Sequence, residues 1–276
     1  MQDLPAPQVI VTSSKPDLRR LVKLTWSLAV GDLKRQYVGS ALDVVWAVVK
    51  PLIELLTYAF VFTVLLRVRF HPDYPPSVNA LYLFCGWLVF ITVHESITRS
   101  TDSVRDSVHL IRKVHVPAEI LPAYLNFSEQ IVLIFRVSLL LAASVIVGWG
   151  VSPWALLLPI VMFFQFLFTY GIGLVLSTLS VFYKDARQLL SPVLMIWMFI
   201  TPVFYPENVF PRPFTPILIA NPLSHLIGIY RQILLNHQPP LPGQVIIFGA
   251  SAITCFAVGW WVFRRQSPYF SDIVGG

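Results

Sequence analysis

The chain has 276 residues, of which 56% are hydrophobic and only 12% charged, with a formal net charge of +6. A soluble globular domain carries roughly 25% charged residues, so that class is excluded. The basic residues are spread through short connecting stretches rather than gathered on one surface, which speaks for membrane topology and against a nucleic-acid partner.

A helix needs roughly twenty apolar residues to cross the hydrocarbon. Six blocks approach that length: residues 41–66, 79–97, 121–147, 154–182, 190–205 and 244–263. The expected fold is therefore an all-α integral membrane protein with six transmembrane helices. Residues 1–40 form an N-terminal segment and residues 264–276 a tail. Residues 1–40 lack an uninterrupted apolar run followed by a small-residue cleavage site, so no removable leader is expected there.

In chain order, Leu18–Tyr37 reads as an amphipathic helix. Leu18, Leu21, Val22, Leu28, Ala29 and Leu33 share one arc with Trp26 at its edge, and Arg20, Lys23, Ser27 and Lys34 lie opposite. That pattern suits the headgroup region of a bilayer or the surface of a partner subunit. The first block carries Lys50, Pro51 and Glu54; the two charges stand one turn apart, and the proline predicts a bend. Residues 98–119 read as a short helix outside the membrane, stopped at Pro117 and long enough to dock on a partner. Glu129 and Arg136 fall inside the third block, two turns apart, and Glu54 is a candidate partner for Arg136. Ionisable residues at such depth face a bundle interior or an aqueous path.

The stretch 190–243 is too apolar for a free loop and too rich in proline for a simple span. It predicts short re-entrant helices, the second over residues 222–235, with irregular backbone shielded by protein. Cys85 and Cys255 both fall in apolar blocks and read as inert packing.

The positive-inside rule sets the orientation. With the N-terminus cytoplasmic, the inner segments hold Lys15, Arg19, Arg20, Lys23, Lys34, Arg35, Arg99, Arg105, Arg112, Lys113, Lys184, Arg187, Arg264 and Arg265. The outer ones hold Arg67, Arg69, Arg212 and Arg231. Both termini are expected in the cytoplasm.

No Gly-x-x-x-x-Gly-Lys-Ser/Thr loop, Cys-x-x-Cys pair or Gly-x-Ser-x-Gly elbow occurs, and His94–Glu95 lacks the second histidine of a zinc helix, Thr98 standing in its place. Neither a nucleotide nor a metal site is expected in this chain. Glu54, Glu129 and Arg136 leave open a proton-coupled secondary transporter, although no inverted repeat is visible. A membrane-embedded enzyme such as a glycosyltransferase would need a convergent acidic or metal-ligand cluster, which the sequence does not offer.

Four stretches resemble the permease subunits of type-2 ABC exporters that move polysaccharides. They are Asp32-Leu-Lys-Arg-Gln-Tyr37-Val-Gly39-Ser40 with Trp46 and Pro51, Leu110-Ile-Arg-Lys113 through Pro117 to Pro122, Phe182-Tyr183-Lys184-Asp185-Ala-Arg187 leading to Thr201-Pro202-Val-Phe-Tyr205-Pro206, and Asn221-Pro222-Leu223 with Tyr230-Arg231. Asp43 departs from the usual glycine.

The resemblance implies a type-2 ABC transmembrane domain over residues 41–263, in a homodimeric permease of the bacterial cytoplasmic (inner) membrane. It implies two copies of a separate ATPase subunit, which bind ATP and magnesium, and a lipid-linked glycan as substrate. O-antigen, teichoic acid and capsular polysaccharide share these motifs. Coupling to the ATPase is expected through Val104, Asp106, Val108, Ile111, Lys113 and Pro117, with Arg20 and Lys23 on the interface helix. The path and its gate are expected at Tyr58, Phe62, Phe199, Phe204, Tyr205, Tyr230 and Arg231, and the intramembrane charges are Lys50, Glu54, Glu129 and Arg136.

Overall fold

The computed structural model describes residues 18–37, 45–65, 74–106, 117–183 and 185–270, and no strand occurs among them. Helix α1 is Leu18–Tyr37, the range its amphipathic pattern predicts. α2, Trp46–Tyr58, runs on through Pro51 and continues as π-helical turns over Ala59–Leu65. The longer helices are α3 (Pro76–Asp106), α4 (Ile120–Ile146), α5 (Leu158–Phe182, after a 3-10 turn at Pro153–Leu157) and α9 (Pro242–Gln266). Between α5 and α9 come α6 (Ala186–Ile200), α7 (Thr215–Ala220) and α8 (Pro222–Leu234).

Local chemistry sets the ends. Pro76, Pro153, Pro222 and Pro242 each open a helix or helical turn, where a missing backbone N–H goes unmissed. Ser152 and Asn221 accept from the backbone N–H groups of Trp154 and Leu223, capping two of these starts.

Four of the described helical stretches are long and apolar enough to cross a membrane: Pro76–Asp106, Ile120–Ile146, Pro153–Phe182 and Pro242–Tyr269. The all-helical, membrane-spanning expectation is borne out at that level. α6, with 15 residues, is only about 22 Å long, short of the roughly 30 Å hydrocarbon core.

α3 is the central post. Of its most apolar stretch 78% is buried, against 17% for α9 at the periphery. α3 packs on α4, α5, α8 and α2, while α1 lies against α4 and α9 against α5. The α5–α9 crossing is close because glycines meet there: a Cβ on Gly259 would stand 2.2 Å from the Gly171 carbonyl oxygen. Cys85 is buried, and both cysteines are free.

The expected separate helix at 98–119 is corrected in its first part. Residues 98–106 prolong α3. Their hydroxyl groups do not break it because they bond back along the helix, Thr101 to Ile97 O and Ser103 to Ser100 O. Val104 is buried in a second apolar cluster with Leu174 and Phe263, so it packs the bundle instead of presenting a docking face. Val108, Ile111, Lys113 and the Phe62 side chain lie outside the described residues.

Candidate functional site

Although α3 is largely buried, a half-exposed stripe runs down it at intervals of three and four residues: Trp87, Ile91, His94, Glu95, Thr98, Arg99, Asp102 and Arg105. It is mostly polar. Charged side chains along a membrane helix avoid lipid and turn to an aqueous path or a protein neighbour, which singles out this face of α3.

Part of the stripe opens on a cavity of about 240 Å³ lined by Gln36, Lys50, Glu95, Arg99, Glu129 and Arg136. Arg99 joins three helices there. Its Nη1 donates to Glu129 Oε1 of α4 and its Nη2 to Asp32 Oδ2 of α1, both at 2.6 Å. Asp32 Oδ2 also accepts from Ser128 Oγ at 2.8 Å and Gln36 Nε2 at 3.1 Å. Charge-assisted bonds of this length are strong, and they hold α1 on the bundle. Deeper along α4, Arg136 Nη1 donates to Thr92 Oγ1 at 2.9 Å, while the buried Nε has no partner. Lys50, Arg99 and Arg136 share the cavity with Glu95 and Glu129, and Asp32 joins them through Arg99, so three cations meet three carboxylates there.

The pairing of Arg136 with Glu54 is corrected by this geometry. Glu54 instead accepts from Trp87 Nε1 at 3.3 Å: the first apolar block touches both sections of α3, Lys50 and Pro51 lining the charged cavity and Glu54 meeting the aromatic section one turn on. Trp87 belongs to a three-ring cluster: Tyr58 at 5.2 Å, Phe204 at 5.7 Å in a stacked arrangement, and Tyr58 to Phe204 at 5.6 Å. Two apolar stretches and the turn after α6 therefore converge on one aromatic cluster.

That turn, at residues 201–205, is held from two sides. Arg231 of α8 donates through Nη1 to Pro202 O at 2.8 Å and through Nη2 to Val203 O at 2.9 Å, with its guanidinium 3.7 Å over the Tyr82 ring. Gly86 leaves room for it: a Cβ there would lie 2.4 Å from Val203 O and 2.8 Å from Arg231 Nη2. Asn221 donates to Thr201 Oγ1 at 2.8 Å and accepts from Trp197 Nε1 at 2.9 Å. The Asn-Pro-Leu and Tyr-Arg motifs thus fasten the backbone that carries Phe204.

Among the other expected path residues, Phe199 is exposed on α6, and Tyr205 bonds Phe199 O at 2.8 Å while stacking on Phe210. Tyr230 is fully buried and donates to Gln165 Oε1 at 2.8 Å. Arg231 therefore supports the turn from within, while Tyr230 is buried against α5. Of the expected coupling residues, Arg20, Lys23 and Asp106 are exposed, and Pro117 begins the turn into α4. At that end of the bundle Asp102 pairs with Arg187 at 3.2 Å and Glu119 with Arg264 at 3.4 Å.

Asp32, Thr92, Trp87, Gly86 and Asn221 had no assigned role in the sequence reading. Arg99 at the end of the second apolar block and Glu129 inside the third were the available signals for the Asp32–Arg99–Glu129 triad; nothing local pointed to Gly86.

Helices of this length wrapped round a polar, lined face make a multi-pass membrane protein of the transport class. Residues 23–235 match the ABC-2 type transporter family, and the chain belongs to it. That family implies a partner ATPase subunit. The chain is 25% identical over 250 residues to the O-antigen export system permease protein RfbA of Myxococcus xanthus, covering 90% of this chain and 94% of the relative. It is 28% identical over 244 residues to a protein of the same name from Klebsiella pneumoniae, covering 88% and 92%.

Proposed function

We propose that this chain is the membrane permease subunit of an ATP-driven exporter that carries a lipid-linked O-antigen polysaccharide across the bacterial inner membrane. The observation that carries this reading is the end-to-end likeness to O-antigen export permeases, at 92–94% of their own length. The permease acts as a homodimer with two copies of a separate ATPase, which hydrolyses ATP with magnesium; this chain is not itself catalytic. The exposed apolar side chains Ile53, Leu56 and Phe60 on the α2 stretch and Val193, Ile196 and Phe199 on α6 provide a surface for the second copy.

In this reading the first apolar block and α6 complete six spans, α7 and α8 re-enter from the outer face, and both termini lie in the cytoplasm. The half-exposed stripe of α3 faces the path. Its polar section contacts hydrated sugar, and the Tyr58–Trp87–Phe204 plug closes the outer end, since a dewetted constriction blocks ions and water. Asp106 and the exposed cations of α1 face the ATPase.

Removing the gene tests the substrate. Surface O-antigen should disappear while lipid-linked O-antigen accumulates inside, and a plasmid copy should restore export. Unchanged surface O-antigen with loss of another glycan, such as capsule, would replace the substrate while keeping the mechanism. The plug has its own test: Phe204→Ala with Tyr58→Ala should make reconstituted vesicles leaky to small ions, and a double variant as tight as the parent would remove the plug from the gate.

A further inference from the structure

We infer that the charged cavity beside α3 is a subsite for one uncharged pyranose unit of the exported glycan, recognised through Glu95, Arg136 and Lys50. The inference deepens the export reading and rests on it. The cavity measures about 240 Å³, below the roughly 300–1,000 Å³ of pockets that enclose drug-sized ligands, so it takes one ring and not an oligosaccharide. Glu95 stands eight residues past Trp87 on the half-exposed stripe, about 12 Å further along α3.

Several polar groups in the wall are already engaged. Arg99 commits Nη1 to Glu129 and Nη2 to Asp32, and Gln36 Nε2 donates to the same Asp32 oxygen. Three side chains keep unanswered groups. Arg136 is 4% exposed; its Nη1 donates to Thr92 Oγ1 and its Nε is sealed without a partner. Its Nη2, which is not sealed, makes no hydrogen bond. A cation buried to this degree without a carboxylate beside it is unfavourable unless something else answers it. Lys50 is exposed and, among the described residues, forms no ion pair. Glu95 has His94 Nδ1 at 3.8 Å, beyond hydrogen-bond reach.

Guanidinium and ammonium groups only donate and a carboxylate only accepts, whereas a hydroxyl does both. Adjacent hydroxyls of one ring donate to Glu95 while their oxygens accept from Arg136 Nη2 and Lys50 Nζ. Each of these bonds is charge-assisted. The charge count selects against anions. Three cations already meet three carboxylates here, so a phosphate would bring an unbalanced charge into the bundle.

The full-length chain in phospholipid nanodiscs, titrated with the methyl α-pyranosides of mannose, glucose and galactose, tests the subsite by saturation-transfer NMR. At least one should bind saturably. Glu95→Gln keeps the shape of a half-exposed side chain and should weaken that binding about tenfold, the worth of one charge-assisted bond. Arg136→Gln should weaken it to a similar degree; if its unfolding temperature shows that it does not fold, Glu95→Gln decides alone. Inorganic phosphate at equal concentration should leave the sugar bound. Absence of saturable binding by all three pyranosides overturns the proposal, and so does equal binding by parent and Glu95→Gln. Displacement by phosphate overturns it too, by making the cavity an anion site. Export lost on gene removal, with no pyranoside bound by the purified chain, defeats the subsite and leaves the export reading standing. Pyranoside binding with surface glycans unchanged on gene removal defeats the export reading instead.

Discussion

Arg99 reaches out from the charged end of α3 and Arg231, on α8, reaches in at its aromatic end, and their charges are answered differently. Arg99 meets two carboxylates, Asp32 from α1 and Glu129 from α4. Arg231 meets two backbone carbonyls and the face of Tyr82. Removing a member of an ion triad leaves a buried charge stranded, and this makes the Arg99 cluster a tie between helices. A guanidinium on carbonyls strands no opposite charge when lost, but it decides where a turn of backbone sits. The first arrangement holds elements together; the second shapes one.

The sharpest way to break the comparison is Arg99→Met, which leaves Glu129, with a side chain only 5% exposed, without its cation. The loss should be about 3–5 kcal/mol of stability, read from thermal or denaturant unfolding of the purified protein. Adding Glu129→Gln should recover part of it, because the more buried of the two stranded carboxylates is then neutral. Failure of that rescue would mean that shape, not charge, dominates the cluster.

Arg231→Met removes two charge-assisted bonds, each worth about 1.5–3 kcal/mol, and no single neutralising substitution should rescue it. Its distinguishing readout is ion leak in reconstituted vesicles, since Phe204 rides on the released turn. Arg231→Lys, which keeps the charge and loses the two-pronged grip, should leak to an intermediate degree.

Gly86→Ala probes the same turn from α3. A Cβ at 2.4 Å from Val203 O cannot be accommodated without moving backbone, so a loss of about 1–3 kcal/mol is expected, together with leak. Leak-free Gly86→Ala vesicles would show that the turn tolerates displacement.

The smallest effect is expected at the rim. The Asp102–Arg187 pair has its arginine 62% exposed, and Asp102→Asn should shift stability by less than about 1 kcal/mol. An effect on transport without one on stability would place this pair in coupling to the ATPase.

Much of the fold was legible before any coordinates. The bounds of α1 follow from its periodicity and those of α8 from Asn221-Pro222, while the spans of α3, α4, α5 and α9 follow from apolar length. The site was legible in composition and not in pairing. Lys50, Glu54, Glu129 and Arg136 stood out because charges are rare in apolar blocks, yet Glu54 turned to Trp87 and Arg136 to Thr92.

Sequence by itself determined that this is a helical membrane protein and where several of its helices begin, because those signals act over a few residues: hydrophobic period, capping side chains and proline. Only the tertiary structure decided that Arg231 is a buried clasp rather than an outer-loop charge, that residues 98–106 extend α3, and that Asp32 reaches Arg99 across 67 positions of chain. Such choices depend on which helix faces which and at what depth, and that geometry comes from packing the whole bundle, with close approaches like Gly86 to Val203 that no local pattern encodes.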